Sequence, residues 1–139
     1  MLGALLLGCS VGTLRGQTCK EMEYRDRNQI DPSPIELREV RGTAIDPTGY
    51  SVAKLCIGIF TEAEHKLMRF AQSDDNGGFA LDTSRLADGD YRLVGQVNGF
   101  CAANQKIKIK LHSHQKRPLV VHMNVAGVDS CSYVELKRK

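Results

Sequence analysis

Between Lys106 and Leu111 the chain alternates strictly, with Ile107, Ile109 and Leu111 on one side and Lys106, Lys108 and Lys110 on the other. Successive side chains of an extended strand point to opposite faces, so this stretch reads as a strand with one buried and one wet face. The same period recurs. Leu55, Ile57 and Ile59 alternate with Cys56, Gly58 and Phe60; Tyr91, Leu93 and Val97 share a face; Leu119, Val121, Met123 and Val125 repeat the pattern. Turn-forming clusters separate these runs: Asp46-Pro47-Thr48-Gly49, Asp74-Asp75-Asn76-Gly77-Gly78, Asp88-Gly89-Asp90 and Asn98-Gly99. Each supplies residues that tolerate the dihedral angles of a reversal. Adding the weaker runs after Val40, from Leu67 to Ser73 and from Phe79 to Asp82 brings the expectation to seven strands and no helix of globular length. That spacing indicates an all-β fold, a seven-stranded antiparallel Greek-key β-sandwich. The Asp74–Gly78 turn is expected to close a hairpin between its two flanking strands.

A chain of 139 residues is the length of one domain with an appendage. Residues 1–17 open with the uncharged run Met1-Leu-Gly-Ala-Leu-Leu-Leu-Gly-Cys9, which is similar to a secretory apolar region and too short to span a bilayer. Leu6-Leu7-Gly8-Cys9 also resembles a bacterial lipobox, which makes Cys9 a candidate lipidation site and mature start; cleavage near Gly16 or Gln17 is the other route. Residues 18–39 are charged and broken by Asp31-Pro32-Ser33-Pro34, an N-terminal arm in which Lys20 to Gln29 can form a short helix without a clear apolar face. Residues 40–139 hold the strand pattern. Export is the expectation, to the periplasm or outside, or lipid-anchored to the cell envelope, with contact to a membrane only through that anchor.

Cysteine usage agrees with export. Either route leaves Cys19, Cys56, Cys101 and Cys131, an even set of the kind that pairs in oxidising compartments. Four cysteines allow three connectivities, and their spacing selects none. No CxxC or CxxH pair brings two ligands together for zinc. The net charge of +3, from 19 basic and 16 acidic residues, falls well short of a phosphate-binding surface, so nucleic acid is not an expected partner.

The order of turns and strands from Arg41 to Val125 resembles the carboxypeptidase regulatory-like family. The residues that carry this likeness are Gly42-Thr-Ala-Ile-Asp46-Pro-Thr-Gly49, Val52-Ala53, Asp75-Asn-Gly-Gly78-Phe79, Gly89-Asp-Tyr91 and Asn98-Gly-Phe100. The resemblance implies a transthyretin-like, or prealbumin-like, sandwich with Phe79, Tyr91 and Phe100 packed as apolar bodies. Leu55 and Cys56 depart from the family's usual small and polar residues, and the cysteines are not a general family feature. In the implied sandwich Cys56, in the second strand, and Cys101, just beyond the fifth, meet at one end, which leaves Cys19 for Cys131.

The candidate chemistry is sparse. His112 and His114, joined by His122, are the one histidine group that has metal-ligand spacing, against the alternative of a solvated loop. Lys106, Lys108, Lys110, Lys116 and Arg117 make a basic stripe suited to an anionic partner, or else a solvated face that protects a strand. Asp74 to Gly78 resembles an acidic calcium loop but lacks the alternating ligands and the downstream Glu. No nucleophile elbow, HExxH, P-loop or Rossmann glycine pattern occurs. The transthyretin-like fold includes hydroxyisourate hydrolases, but their C-terminal Tyr-Arg-Gly-Ser has no counterpart in Tyr133-Val-Glu-Leu-Lys-Arg-Lys139. The expectation is therefore a non-enzymatic exported binding or structural module of the bacterial cell envelope, without a cofactor, attached to an envelope protein or polysaccharide. A carbohydrate-binding module and a transthyretin-like hydrolase are the alternatives, the first weakened by the absence of Trp.

Overall fold

The computed structural model describes residues 18–26, 33–125 and 131–138. Among them nine strands form two sheets: β1 (Ile35–Leu37), β2 (Val40–Ile45), β3 (Cys56–Thr61), β4 (Leu67–Gln72), β5 (Gly78–Leu81), β6 (Gly89–Gln96), β7 (Ala103–Ile109), β8 (Leu119–His122) and β9 (Tyr133–Leu136). The first sheet has the order β1-β7-β6-β3-β4 and the second β5-β2-β8-β9. The alternating apolar residues face one another between the sheets; Leu37, Leu55, Ile59, Ile107, Ile109, Leu119 and Met123 are wholly buried there.

The expected count of seven strands and the purely antiparallel arrangement are both corrected. Two short segments add strands at sheet edges. β1 runs parallel to β7, with Ile35 beside Ile107 and Leu37 beside Ile109, and β9 runs antiparallel to β8, with Val134 beside Val121. A second parallel pairing joins β2 to β8 inside the other sheet, so both sheets are mixed. Neither short run continues an apolar alternation beyond its own residues, unlike Leu119 to Val125 around β8, and so neither stands out in sequence. Their pairing is decided by the edges they meet.

The expected hairpin around Asp74–Gly78 is also corrected, because β4 and β5 lie in different sheets. The turn itself forms: Asp74 Oδ1 accepts the N–H groups of Asn76 at 2.9 Å and Gly78 at 2.8 Å, and Gly77 has φ +77°. The Gly77 carbonyl then accepts the Ala44 N–H at 2.9 Å, which draws the chain onto β2 rather than back along β4. The turn is a corner between layers.

In the arm, the expected helix over Lys20 to Gln29 reduces to one 3-10 turn at Cys19–Glu21, and Met22 is already extended. Residues 27–32 lie outside the described residues, as do residues 1–17, and with them Cys9 and the leader or lipobox reading. Segment 18–26 packs on the outer face of the five-stranded sheet, where Cys19 and Met22 are buried with Cys56, Phe60 and Val94.

The two disulfides are Cys19–Cys56 and Cys101–Cys131, which corrects the pairing of Cys56 with Cys101 and Cys19 with Cys131. Cys56 lies on the outer face of β3, under segment 18–26. Cys101 instead sits at the far end of the β6–β7 connection. Its N–H donates to Asn124 O at 2.8 Å, and Asn124 Nδ2 donates to Cys131 O at 2.9 Å, so the last two cysteines share an end. Two disulfides point to an oxidising, exported environment. No described helix is long and apolar enough to cross a membrane.

Candidate functional site

The register of β2, β8 and β9 builds a small constellation on the outer face of the four-stranded sheet. Its core-facing residues are Ala44, Val121 and Val134, so the alternate positions Ile45, His122 and Tyr133 stand side by side on the outside, one row from Val120 and Glu135. His122 Nε2 lies 2.5 Å from Glu135 Oε2. The Tyr133 ring stacks on the imidazole with centroids 4.4 Å apart and planes 13° from parallel, and Tyr133 keeps half its surface exposed. Direct cross-strand neighbours are close enough for ring stacking, and long side chains also reach the diagonal neighbour, which accounts for both contacts. A carboxylate against one ring nitrogen orients the imidazole, the arrangement that general acid–base chemistry uses.

His112 and His114 are exposed in the segment before β8, whereas His122 is a strand residue partnered by Glu135. Among the described residues no group of three or more His, Cys, Asp or Glu side chains gathers in a way that holds a metal ion. Glu135 was missed because β9 was missed. The alternation of Tyr133 and Glu135 with the apolar Val134 and Leu136 was its one signal.

The basic stripe is interleaved with acids. Lys108 lies between Glu36 of β1 and Asp90 of β6 in the sheet register, and Lys110 Nζ is 3.2 Å from Glu36 Oε1. The hydrogen bond from Lys110, followed by one from Ser113, holds the Glu36 carboxyl below its ordinary value of 4.5. Lys106 lies beside Arg92 in the same register. Lys116 contributes its carbonyl to Arg41 Nη2 at 2.7 Å, and Arg117 donates from Nε and Nη2 to the Lys137 carbonyl at 3.0 and 2.7 Å, bracing the end of β9.

No family model matches the chain, and no curated sequence does. Among solved structures, the 5-hydroxyisourate hydrolase of Klebsiella pneumoniae is similar with a TM-score of 0.53 at 12% identity, over 72% of this chain and 99% of that one. A 3-chlorocatechol 1,2-dioxygenase from Rhodococcus opacus 1CP is matched at 11% identity over 84% of this chain and 64% of that one, with a TM-score of only 0.36. The first likeness establishes a transthyretin-like β-sandwich. It also corrects the expectation of a non-enzymatic envelope module, which rested on the absence of short catalytic motifs: a neighbour with this sandwich is a hydrolase.

Proposed function

We propose that this chain is a transthyretin-like hydrolase domain whose reactive pair is His122 and Glu135 on the outer face of the four-stranded sheet. The observation that carries the reading is the 2.5 Å contact between the imidazole and the carboxylate. With Nε2–H held by Glu135, Nδ1 is the nitrogen that takes a proton from water as the water oxygen adds to a carbonyl carbon. The imidazolium, oriented by Glu135, then returns that proton to the leaving nitrogen or oxygen as the acyl bond breaks. Tyr133, half exposed beside His122, offers a ring face to a small planar amide, ureide or ester. The Klebsiella enzyme supports the reading only in that the same sandwich accommodates hydrolysis. This reading replaces the expectation of no enzyme, which rested on the absence of short motifs. Membership of the carboxypeptidase regulatory-like family, supported by the turn glycines Gly49, Gly77 and Gly99 at positive φ, belongs to the same proposal. So does export with residues 1–17 as leader, supported by the disulfides.

The test is a panel of ester, amide and ureide substrates with the wild type, His122→Ala and Glu135→Gln. Turnover that falls by about 10²–10⁴-fold in His122→Ala, with an unchanged melting curve, is the expected result. Absence of turnover across the panel, or turnover unaffected by His122→Ala, overturns it.

A further inference from the structure

Strand β3 is buried on both faces from Cys56 to Phe60, although one of those faces looks away from the core between the sheets. Its cover is segment 18–26. Cys19 is bonded to Cys56, and Met22, 5% exposed, sits over Gly58, where an added Cβ would come within 2.7 Å of Met22 Sδ. Tyr24 packs edge-on against Phe60 at 5.5 Å and stacks on His65 at 3.6 Å. Two side chains of the sheet hold the segment's backbone: Gln96 Nε2 donates to Glu23 O, and Asn104 Nδ2 donates to Arg25 O at 2.7 Å.

The two partners in this contact are held very differently. β3 has antiparallel ladders to β4 and β6 on either side. Segment 18–26 forms no strand; its internal backbone bonds are the Glu21 N–H to Thr18 O and the Met22 N–H to Cys19 O. A segment fastened by a few side-chain contacts and one covalent bond opens locally far more easily than the sheet beneath it.

We propose that segment 18–26 is a strap latched by Cys19–Cys56 and released by a dithiol reductant, uncovering an apolar trough with Gly58 at its floor. The strap itself is the occupant of the trough, whose walls are Phe60, Leu67 and Val94 and whose rim carries the half-exposed Phe70, the register partner of Gly58 on β4. In the release step a thiolate of the dithiol attacks one sulfur of the bond, and its second thiolate resolves the mixed disulfide. Two electrons and two protons pass to the protein, Cys19 and Cys56 become thiols, and the reductant becomes a disulfide. Both cysteines are buried, at 7% and 4% exposure, in one cluster with Met22, so the reductant reaches them once Met22 has left its notch. Seating of Met22 on Gly58 therefore gates the latch.

The experiment is hydrogen exchange on the full chain carrying Cys101→Ser/Cys131→Ser, oxidised and then reduced with dithiothreitol. On reduction the amides of Glu21 and Met22 should lose about tenfold or more in protection while those of Ile57, Ile59 and Leu93 stay unchanged. An apolar dye should bind only the reduced form. Differential alkylation of the wild type, scored separately at each cysteine, serves if that variant does not fold, and Met22→Ala should then accelerate the appearance of the Cys19 and Cys56 thiols. Loss of protection in β3 and β6 together with the strap, strap amides that stay protected after reduction, or a Met22→Ala rate equal to wild type each overturn the proposal.

Discussion

Gly42 of β2 lies so close to Leu119 of β8 that a Cβ built on it would stand 2.0 Å from the Leu119 carbonyl oxygen. The two residues are register partners in the parallel pairing at the centre of the four-stranded sheet. Backbone atoms there cannot rotate away. Gly42→Ala is therefore expected to destabilise the fold by about 3 kcal/mol, read as a lower urea midpoint. Gly58→Ala meets only the side-chain ends of Met22, Leu67 and Phe60, at 2.7, 2.8 and 3.1 Å, and should cost about 1 kcal/mol while unseating Met22.

Ser73 is a buried bracket. Its hydroxyl accepts the Leu55 N–H at 2.8 Å and donates to Val52 O at 2.8 Å, tying the approach to β3 to the end of β4. Ser73→Ala leaves both groups unsatisfied in the interior and is expected to cost about 1–3 kcal/mol in urea unfolding. Ser84, whose hydroxyl donates to Asp82 at an exposed turn, should change stability by less than about 0.5 kcal/mol when replaced by Ala.

Peptide mapping without reduction should recover Cys19 joined to Cys56 and Cys101 joined to Cys131. Replacing Cys101 and Cys131 by Ser opens a loop of 30 residues' separation. The expected loss is about 3–4 kcal/mol on the chain-entropy account of cross-linking, measured by urea unfolding. A loss near zero would show that the Asn124 bonds to Cys101 and Cys131, with the one its N–H donates to Ser132 Oγ at 2.8 Å, hold that end by themselves.

Glu36 makes the edge strand β1 sensitive to acid. Hydrogen bonds from Lys110 and Ser113 hold its carboxyl below 4.5 in the folded protein. A carboxyl with a depressed folded pKa stabilises the fold above its unfolded value, and that contribution is lost as pH falls from 4.5 through the lower folded value. Glu36→Gln should flatten this part of the melting-temperature profile and leave neutral-pH stability little changed, since the pair is exposed. Asp46 and Asp82, held low chiefly by the Thr48 and Ser84 side chains, act in the same direction and add to that slope.

Strands β3, β6, β7 and β8 were legible in sequence because each carries enough alternation for the period to be read from the chain itself, and their turns need Gly, Asn or Asp at fixed places. The candidate site was half legible. His122 was visible as a histidine, but its partner lies on a strand of four residues, and the diagonal that brings Glu135 to it exists only once β8 and β9 are in register.

By itself the sequence determined the two-layer β architecture, the inward face of β7 and an oxidisable set of cysteines, all of them consequences of local periodicity and composition. Tertiary structure decided which strand crosses to which sheet, which cysteine meets which, and what covers the outer face of β3. These depend on contacts between residues far apart along the chain. Ala44 with Gly77, Asn124 with Cys101 and Met22 with Gly58 each settle a choice that local patterning leaves degenerate, since an alternating strand buries its apolar face equally well beside several neighbours.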